Sequence, residues 1–400
     1  MAVVKAPDIL LPKPSIDYHK WAVIACDQFT SEKAYWNQVH QLVDNVPSTY
    51  HIILPEAYLD MGFETRIKSV NENMDLYLRS DLFIQKKGLV LVDRTTPFQP
   101  HRLGLVCMID LDEYQYEEGR KGKIVASEKT VLNRIPPRVK IREQAPIELP
   151  HILVLIDDTS GLIPELYKQK DKYEKVYDFD LNMGGGHIVG YMIDDYDSTL
   201  AKINQLLETS QLVVGDGNHS LAAAKVCWEN IKKHIPETDL TDHPARYAMV
   251  ELTSIYDDGL AFEPIHRVLF NIDEDNFFHE INRTSQGSVP LKVISSDGEG
   301  YLLTSNNPFE TISWVQEFLD NYLPNHPEAS IDYVHGMDSL IKIIEENPKS
   351  IGITMPHLDR SQLFAYIKEK GVLPRKSFSL GEALEKRYYL ESRIIQKGKM

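Results

Sequence analysis

The residues from Gly215 to Ser220 read Gly-Asp-Gly-Asn-His-Ser, a spacing that suits phosphate chemistry. Gly215 and Gly217 allow the backbone to turn and let main-chain N–H groups approach a ligand closely. The apolar run Leu212–Val214 precedes this loop and an Ala-rich helix start follows it. The pattern predicts a strand, a loop and a helix whose free N–H groups and positive dipole end would stabilise a phosphate.

The polar residues of the loop supply further functional groups. Asp216 could hold a divalent cation, His219 and Asn218 could touch a transferring group, and Ser220 ends the stretch that would bind phosphate. Ordinary turn chemistry is the alternative, because Asp and Asn also bond to their own backbone in turns. The loop lacks the Gly-Lys-Ser/Thr end of a P-loop and the G-x-G-x-x-G dinucleotide pattern, so neither of those nucleotide folds is expected.

A second candidate segment, Ala126–Thr130, combines a carboxylate, an ammonium group and two hydroxyls directly after a β-branched pair. Glu128 could accept a proton from a substrate hydroxyl and Lys129 could neutralise a phosphate, as phosphoryl transfer requires. The hydroxyls of Ser127 and Thr130 could line the same substrate pocket. The alternative is an exposed strand end with an ordinary ion pair.

Three arginines follow at a spacing of four residues, at Arg134, Arg138 and Arg142. On a helix they would share one face, and guanidinium groups suit bidentate binding of phosphate oxygens. Pro136 and Pro137 interrupt a continuous helix, so an extended or turned segment is expected. A solvated basic face is the alternative to phosphate binding by Arg134 and Arg138.

The segment Glu263–Arg267 is predicted to end a strand with His266 and Arg267 side by side. Beside a phosphate loop, Arg267 could stabilise developing negative charge and His266 could contact the substrate. A lone histidine of this kind is more often structural.

Four motifs together resemble one protein family, known as domain of unknown function 1015. They are Ala126–Thr130, Gly215–His219, Pro264–Arg267 and Pro374–Ser377, and their order covers nearly the whole chain. Relatives tend to have Asp-Gly-His-His-Arg in the loop, Pro-Thr-His-Arg in the later motif and Pro-Pro-Tyr-Asp near the N-terminus. The chain departs from these patterns at Ala25–Asp27, Asn218, Ser220 and Ile265.

The Asp-Gly-x-His loop before a helix also resembles the phosphate-binding loop of the ParB and sulfiredoxin superfamily, which includes free-serine kinases. This resemblance implies that Asp216 and His219 handle metal and phosphate, with a carboxylate elsewhere deprotonating an acceptor alcohol. By that analogy Glu128 is the candidate base.

The elements that must position these residues alternate between strands and helices from about Ile124 to Phe270, which predicts an α/β fold with a mixed sheet core. Gly88–Arg94 and Arg102–Asp110 are expected to be buried antiparallel strands. After Asn282 the pattern restarts with a predicted hairpin. The expected division is an α/β core over residues 1–285, carrying a ParB/sulfiredoxin-like strand-loop-helix phosphate site, and a smaller C-terminal α+β region over 286–400.

The composition, 42% hydrophobic and 26% charged over 400 residues, is that of a soluble globular protein. The net charge of −16 argues against a duplex-binding surface, so no nucleic-acid partner is expected. The three cysteines lack paired spacing and indicate neither a disulfide framework nor a zinc ribbon. No signal peptide or membrane span is recognisable, so a cytoplasmic protein without a membrane partner is expected.

The function predicted from these observations is phosphoryl transfer from a nucleotide or pyrophosphate to a hydroxyl of a small molecule such as free L-serine. Mg²⁺ would be required. The alternative is a regulatory module that binds a nucleotide through the same loop without fast turnover. The sequence leaves open whether the protein is a monomer or a homodimer.

Overall fold

The computed structural model describes residues 2–117, 119, 121–285 and 287–398. The strands are β1 Val4–Lys5, β2 Asp8–Pro12, β3 Val23–Ile24, β4 Phe83–Lys87, β5 Leu89–Thr95, β6 Arg102–Asp110, β7 Tyr114–Gln115, β8 Ile124–Ala126, β9 Ile147–Glu148, β10 Leu153–Ile156, β11 Glu174–Asp180, β12 His187–Ile193, β13 Leu212–Asp216, β14 Tyr247–Ser254, β15 Phe262–Phe270, β16 Val289–Ser295, β17 Gly298–Thr304, β18 Ser330–His335, β19 Ser350–Ile353, β20 Phe378–Leu380, β21 Tyr388–Tyr389 and β22 Arg393–Ile394. The α-helices are α1 Tyr18–Trp21, α2 Lys33–Val43, α3 Phe63–Arg79, α4 Ile135–Arg142, α5 Leu162–Lys168, α6 Asp197–Thr209, α7 Asn218–Lys232, α8 Glu274–Thr284, α9 Pro308–Tyr322, α10 Met337–Glu346 and α11 Leu363–Lys370.

The chain divides into two compact units. The first comprises Met1–Leu260 together with Glu382–Met400, and the second comprises Ala261–Gly381. The sequence-based boundary at residue 285 lies inside the second unit. The pattern that restarts after Asn282 is the β16–β17 hairpin, which belongs to the sheet that already contains β15. The return of the last residues to the first unit was not foreseen.

The first unit is built on a mixed sheet, which among the described residues has ten strands. Nine of them follow the order β11-β12-β5-β6-β14-β10-β13-β8-β7, and β1 pairs with β6. Strands β8 and β13 run parallel, as do β10 and β14, whereas β10 and β13 are antiparallel. The predicted α/β class with a mixed sheet is therefore confirmed, and so is the antiparallel pairing of β5 with β6.

Both faces of this sheet are covered. Leu89 and Leu91 of β5 belong to one hydrophobic core, which α5, α6 and α7 complete, whereas Val90 and Val92 belong to another that includes α2 and α3. Because successive side chains of a strand point to opposite faces, a strand buried on both sides needs an unbroken apolar run. This explains the sequence Leu-Val-Leu-Val in β5.

The second unit forms its own sheet, which among the described residues has six strands. Five of them follow the order β17-β16-β19-β15-β18, and β20 pairs with β15. The predicted hairpin is confirmed, with Val289 paired to Thr304. Over the described part of the chain, no helix is both long and apolar enough to cross a bilayer.

One expectation about local structure is wrong. The segment with Pro136 and Pro137 is helical, because both prolines lie in the first turn of α4. A proline in this position loses no intrahelical hydrogen bond, since the first N–H groups of a helix have no partner within it. The three arginines of this region therefore lie on or directly before a helix.

Candidate functional site

The loops that follow β8 and β13 meet at one edge of the large sheet. The two strands are parallel, with Val214 opposite Ala126, so their carboxyl ends lie side by side. The side-chain amide of Asn218 donates to Ser127 Oγ over 3.4 Å, and the backbone N–H of Val131 donates to His219 Nε2 over 3.2 Å. The two sequence motifs thus form one continuous surface.

Gly217 makes the turn from β13 into α7. Its φ of 85° is in the left-handed region, and the helix begins at the next residue. A Cβ at this position would lie 2.9 Å from Ile152 Cγ1 and 3.1 Å from Ile152 Cα, so glycine is required for its dihedral angles and for the close approach. The predicted strand, loop and helix are confirmed, and an anion at the start of α7 would face the amides of its first turn and the positive end of the helix dipole.

Two polar atoms at this junction have no hydrogen-bond partner among the described residues. They are Thr130 Oγ1 and Asn218 Oδ1, and both are buried. A buried polar atom without a partner is costly, so such atoms usually meet a ligand or an ordered water. A hydroxyl can donate to a phosphate oxygen, and an amide oxygen can accept from a ligand hydroxyl.

Asp216, the predicted metal ligand, contacts a lysine from the C-terminal segment. Its Oδ2 lies 3.2 Å from Lys386 Nζ, and its Oδ1 accepts from the Gly217 N–H. The Lys386 side chain is only 8% exposed, so this ion pair is largely shielded from solvent. No group of three or more Asp, Glu, His or Cys side chains positioned to bind a metal is present within the described ranges.

A hydrogen-bonded chain that the sequence did not reveal leads from the loop into the protein. Ser220 Oγ lies 3.1 Å from His151 Nε2, and His151 Nδ1 lies 3.1 Å from the hydroxyl of Tyr389. That hydroxyl donates to Cys26 Sγ over 3.0 Å. Burial is the main cause that lowers the pKa of His151, although the charges of Asp27 and Asp216 act in the opposite direction. The ring is therefore neutral near pH 7, with one nitrogen to donate and one to accept.

Asp27 is a second acidic group near His151, and unlike Asp216 it was not predicted as a site residue. Burial raises the pKa of its carboxyl, but His151, the Gln28 side chain and Lys386 lower it, and the net direction is down. Asp27 is thus ionised. Burial, followed by the negative charge of Asp27, raises the pKa of the adjacent Cys26 thiol to about 11, so this cysteine is not a thiolate at neutral pH.

Pairing between distant strands explains why these residues meet. Strand β3 is antiparallel to β21, with Ile24 opposite Tyr388, so the residues after β3 lie beside those before β21. Asp27 follows β3 and Lys386 precedes β21. His151 reaches the same edge because it precedes β10, whose first residue, Leu153, pairs with Asp216.

The other residues predicted after β8 differ in their surroundings. Glu128 is half-buried and Lys129 is exposed. Arg134 is exposed, whereas Arg138 is half-buried and forms an ion pair with Glu56. The structure therefore gives Arg138 a carboxylate partner, and phosphate binding by either arginine stays a prediction.

The predicted residues of the second unit have structural contacts there. His266 Nδ1 accepts from the Met355 N–H over 3.0 Å. The Arg267 side chain is fully buried and donates to Gln316 Oε1 over 3.2 and 3.3 Å and to the carbonyl of Lys376 over 2.9 Å. These bonds favour the structural interpretation of the His-Arg pair.

Comparison with known families finds one match: a model described as "Protein of unknown function (DUF1015)" matches residues 10–322. Comparison with curated proteins gives no match.

Comparison with solved structures finds matches of low similarity. A free serine kinase in complex with AMP is 9% identical, with a TM-score of 0.41 over 73% of this chain and 91% of that one. SbnI with a C-terminal truncation, from Staphylococcus aureus, is 11% identical, with a TM-score of 0.37 over 74% and 84%. A conserved hypothetical protein from Pyrococcus furiosus is 10% identical, with a TM-score of 0.38 over 71% and 90%. Similarities this low assign no residue of this chain a role.

Proposed function

The chain belongs to the DUF1015 family, and we propose that this member is a small-molecule phosphotransferase. It transfers a phosphoryl group from a nucleotide or pyrophosphate to a hydroxyl, such as that of free L-serine. The new bond joins the acceptor oxygen to phosphorus, and the bond from phosphorus to the bridging oxygen of the donor breaks. The bridging oxygen leaves with the electron pair, and the hydroxyl proton passes to a protein base.

The observation that carries this proposal is the junction of the two loops. The start of α7 offers main-chain donors, Thr130 Oγ1 and Asn218 Oδ1 are buried without partners among the described residues, and the carboxylate of Asp216 is adjacent. An anion at this point would meet preorganised donors, which is the main requirement of phosphoryl transfer.

The residues have separate roles in this scheme. The backbone from Gly215 to Ser220 holds the donor phosphates, and Lys129 and His219 neutralise charge on the transferring group. Glu128 orients or deprotonates the acceptor. Arg267 is left out, because its guanidinium group is used within the second unit.

Asp216 is the residue that would hold Mg²⁺. One carboxylate suffices when substrate phosphates supply further oxygens, because Mg²⁺ typically has one or two protein carboxylates and several waters. In the structure this carboxylate lies 3.2 Å from the Lys386 ammonium group. When bound, Mg²⁺ would neutralise charge on the donor phosphates.

The test is a screen of ATP, ADP, CTP and pyrophosphate against hydroxyl metabolites, with phosphorylated product detected by mass spectrometry. Asp216→Asn and Lys129→Ala should each reduce turnover about a hundredfold or more, since loss of one such contact costs roughly 2.7–4 kcal/mol of barrier. Asp195→Asn and Lys202→Ala are matched controls, because both side chains are exposed on or before α6. Near-normal rates in both site variants would refute the assignment.

The second candidate function is a regulatory module that binds a nucleotide at the same loop without fast turnover. It rests on the same donors at the start of α7, which hold an anion whether or not a reaction follows. A ligand at a hundred times its Kd stabilises a protein by about 2.7 kcal/mol, so a melting series with the four donors would identify it. Stabilisation without any product would favour this function over transfer.

A further inference from the structure

A pocket of about 140 Å³ lies beside Ser220 and His151, on the side of α7 that faces α4. Its apolar walls include Leu54 and Leu59, Met74 of α3, Ile141 of α4 and Ala223 of α7. All of these side chains are apolar. The pocket therefore prefers an uncharged, apolar group.

The charged side chains that line this pocket are paired with each other. Arg138 forms an ion pair with Glu56, and Arg142 Nη2 lies 2.5 Å from Glu148 Oε2. Glu148 also binds Arg393 over 2.7 Å, and the two arginines outweigh burial and lower the pKa of its carboxyl. A ligand carboxylate or ammonium group would have to break one of these shielded pairs, which is costly.

Uncharged polar groups converge at one end of the pocket. Ser220 Oγ and His151 Nε2 are hydrogen-bonded there, next to the Tyr389 hydroxyl. Ser220 also belongs to the first turn of α7, so this end of the pocket adjoins the phosphate loop. A ligand hydroxyl at this end could donate to or accept from the Ser220 hydroxyl.

The volume limits the size of the bound group. A dry cavity of about 150 Å³ lined by aliphatic and aromatic side chains binds benzene. The pocket, at about 140 Å³, is of similar size. A phenyl ring or a branched chain of similar volume would fill it, whereas the side chain of serine would leave most of it empty.

We propose that this pocket is the acceptor subsite, and that the acceptor is a neutral alcohol with an apolar group about the size of a phenyl ring. Its hydroxyl lies at the Ser220–His151 end and its apolar group contacts Leu59, Met74 and Ile141. This inference rests on the proposed phosphotransferase function and replaces free serine with a different class of acceptor.

The experiment uses the full chain and four probes: benzyl alcohol, L-serine, pyrophosphate and ATP, each titrated by ligand-observed NMR. Leu59→Trp and Ile141→Trp place an indole in the pocket from two different walls. Leu206→Trp is the matched control, since Leu206 is similarly half-buried but lies on α6 and does not line the pocket. Circular dichroism verifies that each variant is folded.

We expect saturable binding of benzyl alcohol, at least a tenfold weaker Kd in the two pocket variants, and no change in Leu206→Trp. Pyrophosphate should bind all four proteins equally. Unchanged benzyl alcohol binding in both folded pocket variants would overturn the inference, as would L-serine that binds and displaces benzyl alcohol. Binding of benzyl alcohol with no binding of pyrophosphate or ATP would instead overturn the phosphotransferase function, and the pocket would remain a binding site for a neutral alcohol without being an acceptor subsite.

Discussion

The two units use the same residue types for opposite purposes. In the first unit, Asp27, His151 and Lys386 come from three distant segments and surround a loop that still has buried polar atoms without partners among the described residues. In the second unit, His266 and Arg267 are hydrogen-bonded to Met355, Gln316 and the Lys376 carbonyl, which fixes neighbouring elements to β15. We therefore expect a histidine or arginine in a motif to bind a ligand only where the fold leaves its surroundings able to take one.

Arg267→Met should give the largest loss of stability. A small loss would contradict the structural role that the comparison assigns to Arg267. Methionine retains an apolar stem but removes the guanidinium donor of the Lys376 carbonyl and of Gln316 Oε1, which keeps only a 3.4 Å bond from the Tyr333 hydroxyl. Loss of such buried bonds should lower the free energy of unfolding by about 3 kcal/mol, measured by urea denaturation. The Kd for pyrophosphate should not change.

Arg375→Met is the control for this variant. Arg375 also belongs to the second unit, but it is 35% exposed and pairs with Asp320, which is 43% exposed. An exposed pair contributes about 0–1 kcal/mol, so a small loss is expected. If Arg267→Met instead kept full stability and weakened pyrophosphate binding, Arg267 would belong to the phosphate site as the sequence predicted.

Gly217→Ala should have the next largest effect and sharpens the comparison within the first unit. Gly217 and Gly161 both precede a helix with positive φ, 85° and 68°, but an added Cβ has nothing within 4 Å at Gly161. Gly161→Ala should cost about 1–2 kcal/mol, the usual cost of left-handed backbone for an L-residue. Gly217→Ala should cost more, because its Cβ would also press on Ile152.

The two glycine variants should also differ in their affinity for pyrophosphate. Gly217→Ala should weaken pyrophosphate binding at least tenfold by moving the amides at the start of α7, whereas Gly161→Ala should leave it unchanged. Equal affinity in the two variants would mean that the Gly217 turn does not hold phosphate. Thermal unfolding and calorimetric titration provide the two measurements.

The sequence predicted those parts of the site that are local in the chain. The apolar run, the glycines and the Ala-rich start of α7 lie within a few residues of one another, so periodicity and turn chemistry were sufficient. The α4 helix was missed because the prolines were weighed as helix breakers, although they lie in the first turn. Proline breaks a helix only beyond its first turn, so the prediction failed because the start of the helix was placed wrongly.

The remaining site residues could not be predicted, because strand pairing at long range brings them together. Asp27 and Lys386 meet only because β3 pairs with β21, at the far end of the chain. Lys386 lies between a 3₁₀ turn at Ala383–Glu385 and β21, a position that no local sequence pattern connects to the loop at Asp216. His151 belongs to no recognisable motif. The one sequence signal for a site role was its position just before the buried strand β10.

The effect that is smallest at neutral pH concerns the pH dependence of stability at His266. Burial is the main cause that lowers the pKa of this histidine from 6.5 to about 4, and the Arg267 charge adds to it. Between these two values the unfolded chain binds more protons than the folded protein, so stability falls as the pH is lowered from 6.5 to about 4. The slope for one group is at most about 1.4 kcal/mol per pH unit.

His266→Asn should remove this slope, since an amide oxygen can still accept from the Met355 N–H but does not titrate. The difference in unfolding free energy between the parent and the variant should therefore change only within that window. His187 of the first unit gives the opposite sign: its hydrogen bonds to Asp180 and Asp178 raise its pKa, so its contribution is present below pH 6.5 and is lost as the pH rises through the raised value. Parallel pH profiles for the parent and His266→Asn would show that His266 is not held neutral by the fold, and the contrast between the two histidines would then be wrong.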